Sequence, residues 1–495
     1  MSLIDASPTK NFFVEMLTRD IDIKDAILDL LDNCIDGIQR TTRGQALADR
    51  PYEGFWANIE LSDKVFLIED NCGGIPLTVA ERYAFRMGKP KGINDDDDIF
   101  TIGTYGIGMK RAIFKMGKAA EVLSETTEDA FKVSIQPDWL ASDDSWELPV
   151  EVVDGSEDEK GTSIEILELR EEAARQFGDD SFQDSLVREI EGLYSYILAK
   201  GFAITLNGEE IEPRPIVLQW EGVNKLKKRD TEAIAPYLYE ATRDNVEISL
   251  AVGLRRKLPT AKEVDKASER TERKRSARDD AGWTIVCNDR VVVANDKTIL
   301  TGWGESGIPR YHPQFISISG IVHFKSTDAR LLPITTTKRG IDASSELYLY
   351  VKERMREGLR LFTSHTNKWK QVSQAHQTPK QVKADKPPKK SRPKLETPDV
   401  MFERVRAIET PEATKSQPKI WKSVKSDEFE VERRYIPNLP SPPVVDQPKR
   451  VSFNKPIEEI QLVGEFLLDD PDCSPSAVGE ACFQTVLEQA QEAAE

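Results

Sequence analysis

Residues 24–38 read KDAILDLLDNCIDGI. At helical period Ile27, Leu30, Leu31, Cys34 and Ile38 fall on one face, as a core-facing helix requires. Asp29, Asn33 and Asp36 recur at i, i+4 and i+7 and form a second stripe. Short acids and an amide have poor helix propensity, and this stripe carries no basic partner of its own. Carboxylates so spaced repel one another, and a hydrated metal ion would relieve the repulsion. An acidic face turned to solvent is the other reading, and the helix alone leaves both open.

Two later stretches favour a site. Residues 65–76, VFLIEDNCGGIP, form an apolar run that ends in an acid and a Gly-Gly turn. This predicts a strand delivering Asp70 to a pocket floor, with Gly73 and Gly74 letting the backbone pass close to a ligand. Residues 102–117, IGTYGIGMKRAIFKMG, place Gly103, Gly106 and Gly108 before a helix-like run. Unpaired backbone N–H groups can face an anion there. No GK[ST] follows, so this is not a Walker A loop, and it lacks the strand-loop-helix setting of a dinucleotide fingerprint.

In this order the three stretches resemble the GHKL superfamily of ATPases (gyrase B, heat-shock chaperone, histidine kinase, MutL). The glycine segment is most similar to that of the MORC branch. The resemblance implies that Asn33 ligates the Mg2+ bridging the phosphates of ATP, with Asp36 on the same cofactor-binding stripe. It implies that Asp70 accepts a hydrogen bond from the adenine amino group and that Gly74 lies against the base. Gly103, Thr104, Tyr105, Gly106, Ile107, Gly108, Met109 and Lys110 would close as a lid over the triphosphate. Thr162, in KGTSIEI, would complete the adenine site. Lys89, in the polar loop 88–92, is either a phosphate contact or a solvated loop lysine.

Two positions depart from the family pattern. The residue four before the Asn is usually Glu, the general base that orients the attacking water; here it is Asp29. Asp is one methylene shorter, roughly 1.5 Å of reach, and misplacement on that scale costs on the order of a hundredfold. Slow hydrolysis is the expectation, with Asp32 ranked second as base. Cys72 stands where the acid-x-Gly-x-Gly pattern has its first Gly.

The chain has 495 residues, enough for two or three domains. A net charge of −17 argues against a surface that coats nucleic acid or anionic membrane indiscriminately. Five scattered cysteines without CxxC spacing suggest neither a disulfide framework nor a zinc site, so a reducing cytoplasm is expected. Neither a signal-peptide pattern nor a run of 18 apolar residues is present, and no membrane role is expected.

The fold class expected is α+β: a Bergerat-type ATP-binding α/β sandwich over residues 1–205, then a smaller transducer-like α+β domain over 210–365. Residues 366–455 read as a basic, Pro-rich disordered linker, and 456–495 as a short helical segment able to dock on a protein partner or on the body. Residues before the first box either cross to a partner subunit or pack on their own domain. Residues 286–304, VCNDRVVVANDKTILTGWG, resemble the opening of the transducer domain in MORC and MutL-type ATPases. That likeness makes Lys338 the family's sensor lysine for the γ-phosphate, the other reading being a surface lysine in a turn. The charged insertion 255–278 reads as a solvated loop rather than a phosphate-tracking arm. The function expected is an ATP-dependent conformational switch, a slow ATPase using ATP and Mg2+, closing as a homodimer and acting on DNA. A chaperone-like or signalling scaffold that hardly hydrolyses ATP is the alternative. All four histidines follow the boxes, which disfavours a histidine kinase.

Overall fold

The alternation of residues 56–70 dictates the centre of the first sheet. Strands β1 (Trp56–Leu61) and β2 (Phe66–Asp70) pair antiparallel around a Ser-Asp-Lys turn, and each buries alternate residues. The computed structural model describes residues 9–42, 50–86, 107–142, 145–155, 160–214, 216, 218–219, 234–260, 263–265, 281–335, 338–375, 395–396, 402, 422–423, 431–441 and 454–493.

In chain order the first domain runs α1 (Lys10–Arg19), α2 (Ile23–Thr41), β1 and β2, then a short helical stretch Leu77–Val79 that continues as a π-turn, Ala80–Ala84. It goes on through α3 (Gly108–Met116), β3 (Ala120–Glu125), β4 (Ala130–Ile135), β5 (Val150–Val152) and β6 (Gly161–Ile166). Helices α4 (Glu171–Phe177), α5 (Asp180–Leu193) and α6 (Ser195–Ala199) follow, and then β7 (Ala203–Leu206) and β8 (Glu209–Glu210). The sheet order is β5-β4-β3-β6-β2-β1-β7-β8, antiparallel throughout except for β1 beside β7. The helices bury their apolar faces on this sheet in one core with Ile27, Leu31, Ile59, Phe66, Phe114, Phe177 and Ile190. Helix α1 packs on α3, and Lys10 donates to the carbonyls of Trp139 and Ser142 at 2.7 and 2.5 Å. Of the two readings for the N-terminal segment, residues 10–19 therefore follow the second and pack on their own domain.

The second sheet is ordered β13-β12-β14-β11-β10-β17-β16. Its members are β10 (Tyr237–Arg243), β11 (Val246–Leu254), β12 (Gly282–Cys287), β13 (Arg290–Asp296), β14 (Ile318–Lys325), β16 (Lys422–Ser423) and β17 (Val431–Tyr435); Leu218–Gln219 (β9) and Leu395–Glu396 (β15) pair separately. Helix Glu346–Ala375 lays Tyr348, Val351, Met355, Leu359 and Phe362 on this sheet. It runs beyond the expected boundary at 365.

The larger departure lies in 366–455, expected to be a linker throughout. Residues 431–435 pair antiparallel with β10 over five positions, from Leu238↔Tyr435 to Thr242↔Val431. The segment reads VERRY, with too few apolar residues to announce a strand. Its charges are what seat it. Glu432 is 5 % exposed, accepts from Tyr239 and Tyr350 hydroxyls at 3.2 and 2.6 Å, and pairs with Arg354 at 3.3 Å. Arg434 pairs with Glu357 at 2.8 Å. The insertion 255–278 lies mostly outside the described residues.

Residues 443–495 with 372–378 form a separate compact unit. Within it helices Ile457–Leu468 and Pro475–Glu492 pack on each other, with Gly464 against Val478 and Cys473. They leave Leu462, Phe466, Phe483 and Val486 exposed. Among the described residues no helix is long and apolar enough to cross a membrane.

If Glu432 anchors a strand, Glu432→Ala should cost about 3 kcal/mol, because it strands a half-buried Arg and two tyrosine hydroxyls. A change in a solvated tether would stay within about 0.5 kcal/mol. A urea midpoint unchanged from the parent chain would return this segment to the linker.

Candidate functional site

Helix α2 is where the site begins. Asp25 lies in its first turn and Arg40 in its last, both matched to the helix dipole. From Ala26 to Ile38 every residue but one is buried, and the exception is Asn33. The polar stripe is therefore not a solvated acidic face. Asp29 and Asp36 are 5 % and 6 % exposed, while Asn33 faces outward between them.

Two distant residues supply the basic partners that the helix itself lacks. Arg111 on α3 donates to Asp29 Oδ2 at 2.6 Å, and Lys338 Nζ lies 3.5 Å from Asp29 Oδ1. The helix contains neither cation, so only the packing of α3 and of the second domain supplies them. Gly108 begins α3 directly beside this carboxylate: a Cβ there would lie 3.5 Å from that of Asp29. Ile107 caps this helix, and Gly108, Met109 and Lys110 form its first turn. The Lys110 ammonium is buried and donates to the carbonyl of Ala84 at 2.7 Å, and burial lowers its pKa to about 8. Lys89, Gly103, Thr104, Tyr105 and Gly106 lie outside the described residues.

Asp32, ranked second as a base, has other work. It is 1 % exposed; its Oδ1 accepts from Tyr194 at 2.7 Å and Arg290 at 2.9 Å, and its Oδ2 from Lys338 at 2.9 Å. Burial alone would raise this carboxyl, but Lys338 and Arg290 outweigh it and hold the pKa at about 2. Burial likewise works against the charge on Lys338, and Asp32, Asp29 and Asp36 together push its pKa above the usual lysine value. Lys338 sits at φ 56°, the left-handed region that costs a non-glycine residue energy. The turn is held by Lys338 N–H to Thr335 O at 2.9 Å and Thr335 N–H to Gly340 O at 3.0 Å.

Arg290 reaches Asp32 because of the turn before it. Asn288 and Asp289 have φ of 46° and 67°, the pair of left-handed residues that closes a two-residue hairpin between β12 and β13. Arg290 also lies over the Tyr194 ring, 4.4 Å from its centroid. Asp289 accepts from Tyr52 and Lys200 of the first domain at 2.8 and 2.7 Å. Arg339 pairs with Glu189 and Asp25. Sequence reasoning passed over Arg111, Arg290 and Asp289. The Asn-Asp pair between two apolar runs was the available signal for the hairpin, but its target was not visible.

At the other end of α2, Asp70 closes β2 in register with Thr162 of β6. Asp70 Oδ1 accepts from the Cys72 N–H at 2.8 Å, and Cys34 Sγ donates to Oδ2 at 3.4 Å. Burial raises the Asp70 pKa against these hydrogen bonds. Thr162 Oγ1 lies 3.2 Å from Ser124 Oγ, which accepts from Ile75 N–H at 2.7 Å. Gly74 has φ 69°, and a Cβ there would sit 2.2 Å from the Glu125 carbonyl oxygen; at Gly73 (φ 100°) it would strike Thr41. Both glycines thus let this turn pass close to the protein's own chain. Cys72 does not have a positive φ, so the turn accepts its side chain where the family pattern has Gly.

Asp29, Asn33 and Asp36 on α2 and Asp70 at the end of β2 thus sit in one α/β sandwich. Residues 21–166 match the family model described as Histidine kinase-, DNA gyrase B-, and HSP90-like ATPase. The match covers 146 of the 495 residues, so residues 21–166 are similar to GHKL-type ATPase domains. No curated protein matches the chain.

Removing Asp32 leaves two buried cations without their counter-charge, so Asp32→Ala should destabilise the protein by about 3–5 kcal/mol. The folded-state pKa is depressed, so this stability is present above the unfolded value of about 3.9 and is lost as pH falls toward 2. Urea unfolding of the parent and the variant at pH 7 and near pH 2.5 should show the gap shrinking with acid.

Proposed function

We propose that the chain is an ATP-driven switch of the MORC and MutL-like kind, a slow ATPase whose second domain registers the nucleotide. The observation that carries this reading is Lys338: a residue of the second domain, in a strained turn, with its ammonium 3.5 Å from the carboxylate of Asp29. Strain kept at a site is a reason to look for function there.

In this reading Asp70 and Thr162 take the adenine, with Gly74 at its edge, and the segment 103–110 covers the phosphates, Lys89 being a further contact. Asn33 fits Mg2+: it offers a neutral oxygen at the one exposed position of the stripe, beside acids, and this ion takes few protein ligands and keeps its waters. When bound, Mg2+ would neutralise phosphate charge. Asp29 takes the proton from the attacking water, and Asp36 helps keep Lys338 charged. Before Asp29 can do so its oxygen must be released by Arg111, whose buried Nε has no hydrogen-bond partner among the described residues. A triphosphate would draw both Arg111 and Lys338, freeing Asp29 and pulling on the second domain.

The resemblance of 286–304 and of the glycine segment to MORC proteins supports a homodimeric clamp acting on DNA, and the scattered cysteines support a reducing cytoplasm. The exposed Leu462, Phe466 and Phe483 support a protein partner for the C-terminal helices. The second reading, a scaffold that binds ATP and hardly hydrolyses it, draws on the short reach of Asp29 and its tie to Arg111.

Asp29→Asn should keep nucleotide affinity and lose turnover, since it removes basicity and keeps size. Asp70→Asn should abolish nucleotide binding, because a donor would meet the adenine amino group. Titration with an ATP analogue and a phosphate-release assay separate the two, and a DNA-stimulated rate would favour the clamp over the scaffold. For Lys338→Ala, affinity for the analogue should fall by about 1.5–3 kcal/mol while ADP affinity holds. Nucleotide-induced compaction, read by scattering, should disappear with it.

A further inference from the structure

Cys34, Cys72 and Asp70 bring two thiols and a carboxylate together at the inner end of α2. Their Sγ and carboxylate oxygen atoms all lie within 4.8 Å of one another. We propose that these three residues bind a thiophilic divalent cation, zinc by preference, and that its binding takes Asp70 away from the nucleotide. The second half rests on the adenine role given to Asp70 above; the first does not.

The geometry is near that of a tetrahedral site. Bonds of about 2.3 Å to sulfur and 2.0–2.2 Å to carboxylate oxygen put neighbouring ligand atoms about 3.4–3.8 Å apart. Cys34 Sγ and Asp70 Oδ2 are already 3.4 Å apart. Cys72 Sγ lies within 4.8 Å of both and completes the triangle. Two thiolates with one carboxylate suit zinc and its softer relatives, whereas Mg2+ prefers oxygen alone.

The scaffold is rigid. Thr41 Oγ1 reaches the carbonyls of Gly37 and Cys72 at 3.0 and 3.2 Å, and a Cβ on Gly37 would lie 2.7 Å from the Cys72 oxygen, so the turn is pressed onto α2. The Cys72 N–H holds Asp70 Oδ1 and leaves Oδ2 aimed at Cys34, the outer-shell support that metal carboxylates have. Both thiols are buried, 3 % and 1 % exposed, which shields them from bulk oxidants. The partly exposed side of Asp70 is left for a fourth ligand, water in the first instance.

The test uses the full chain, reduced and stripped with a chelator, then titrated with Co2+ as a spectroscopic probe. Visible bands of tetrahedral intensity should saturate at about one equivalent and be displaced by Zn2+. They should be lost in Cys34→Ser and in Cys72→Gly, the second of which keeps the turn if the first fails to fold. Absence of the bands, or their survival in both variants, would overturn the site. So would mass spectrometry finding Cys34 joined to Cys72, two hydrogens lighter, in place of metal uptake. With unbound zinc removed beforehand, the zinc-loaded chain should bind an ATP analogue about tenfold or more weakly than the stripped chain. Equal affinity in the presence of the bands would overturn the exclusion. A chain that shows the bands but binds no nucleotide in either form would uphold the metal site and overturn the nucleotide reading instead.

Discussion

A carboxylate buried to 1 % exposure is tolerable only if its charge is met, and Asp32 is met by two cations and a phenol. Both cations come from the second domain, one at the start of β13 and one in the turn before the long helix. The position of the two domains against each other is therefore written into the charge balance of a single side chain. Asp289, buried between Tyr52 and Lys200, repeats the arrangement with the signs of the partners reversed across the interface. Apolar contact adds to it, as Tyr196 of α6 packs with Val286, Val291 and Ile321. Hydrophobic burial does not fix orientation finely; hydrogen-bonded ion pairs in a low-dielectric interior do.

The same balance ties the polar stripe of α2 to the second domain. Lys338 divides its charge between Asp32 and Asp29, one a structural acid and the other on the open stripe. Coupling of this kind needs a differential contact in two states, and a shared lysine provides one. Arg111 adds a second cation that must choose between Asp29 and an incoming charge.

Much of this was legible from residue order. The period of α2, the apolar run of β2 ending at Asp70, and the alternation in β4 and β6 each specify an element, because the buried face of a helix or strand repeats at a fixed interval. Strand β17 was not legible, because Glu432 and Arg434 are buried through ion pairs and tyrosine hydroxyls, which leave no apolar period. Nor was the role of Asp32. One position off the stripe it looked like a spare acid, and only Arg290, 258 residues later, makes it a keystone.

The sequence by itself determined the local elements of the first domain: which faces of α2 are apolar, where Asp29, Asn33 and Asp36 recur, and which turn carries Asp70. Those follow from local geometry, since spacing along a helix or strand converts directly into direction. Tertiary structure alone decided which acids are neutralised and by whom, that Asn33 is the one exposed residue of its stripe, and that Cys34 and Cys72 meet at Asp70. Such facts depend on which distant surfaces pack together, and charge interacts through space while the order of residues records only distance along the chain.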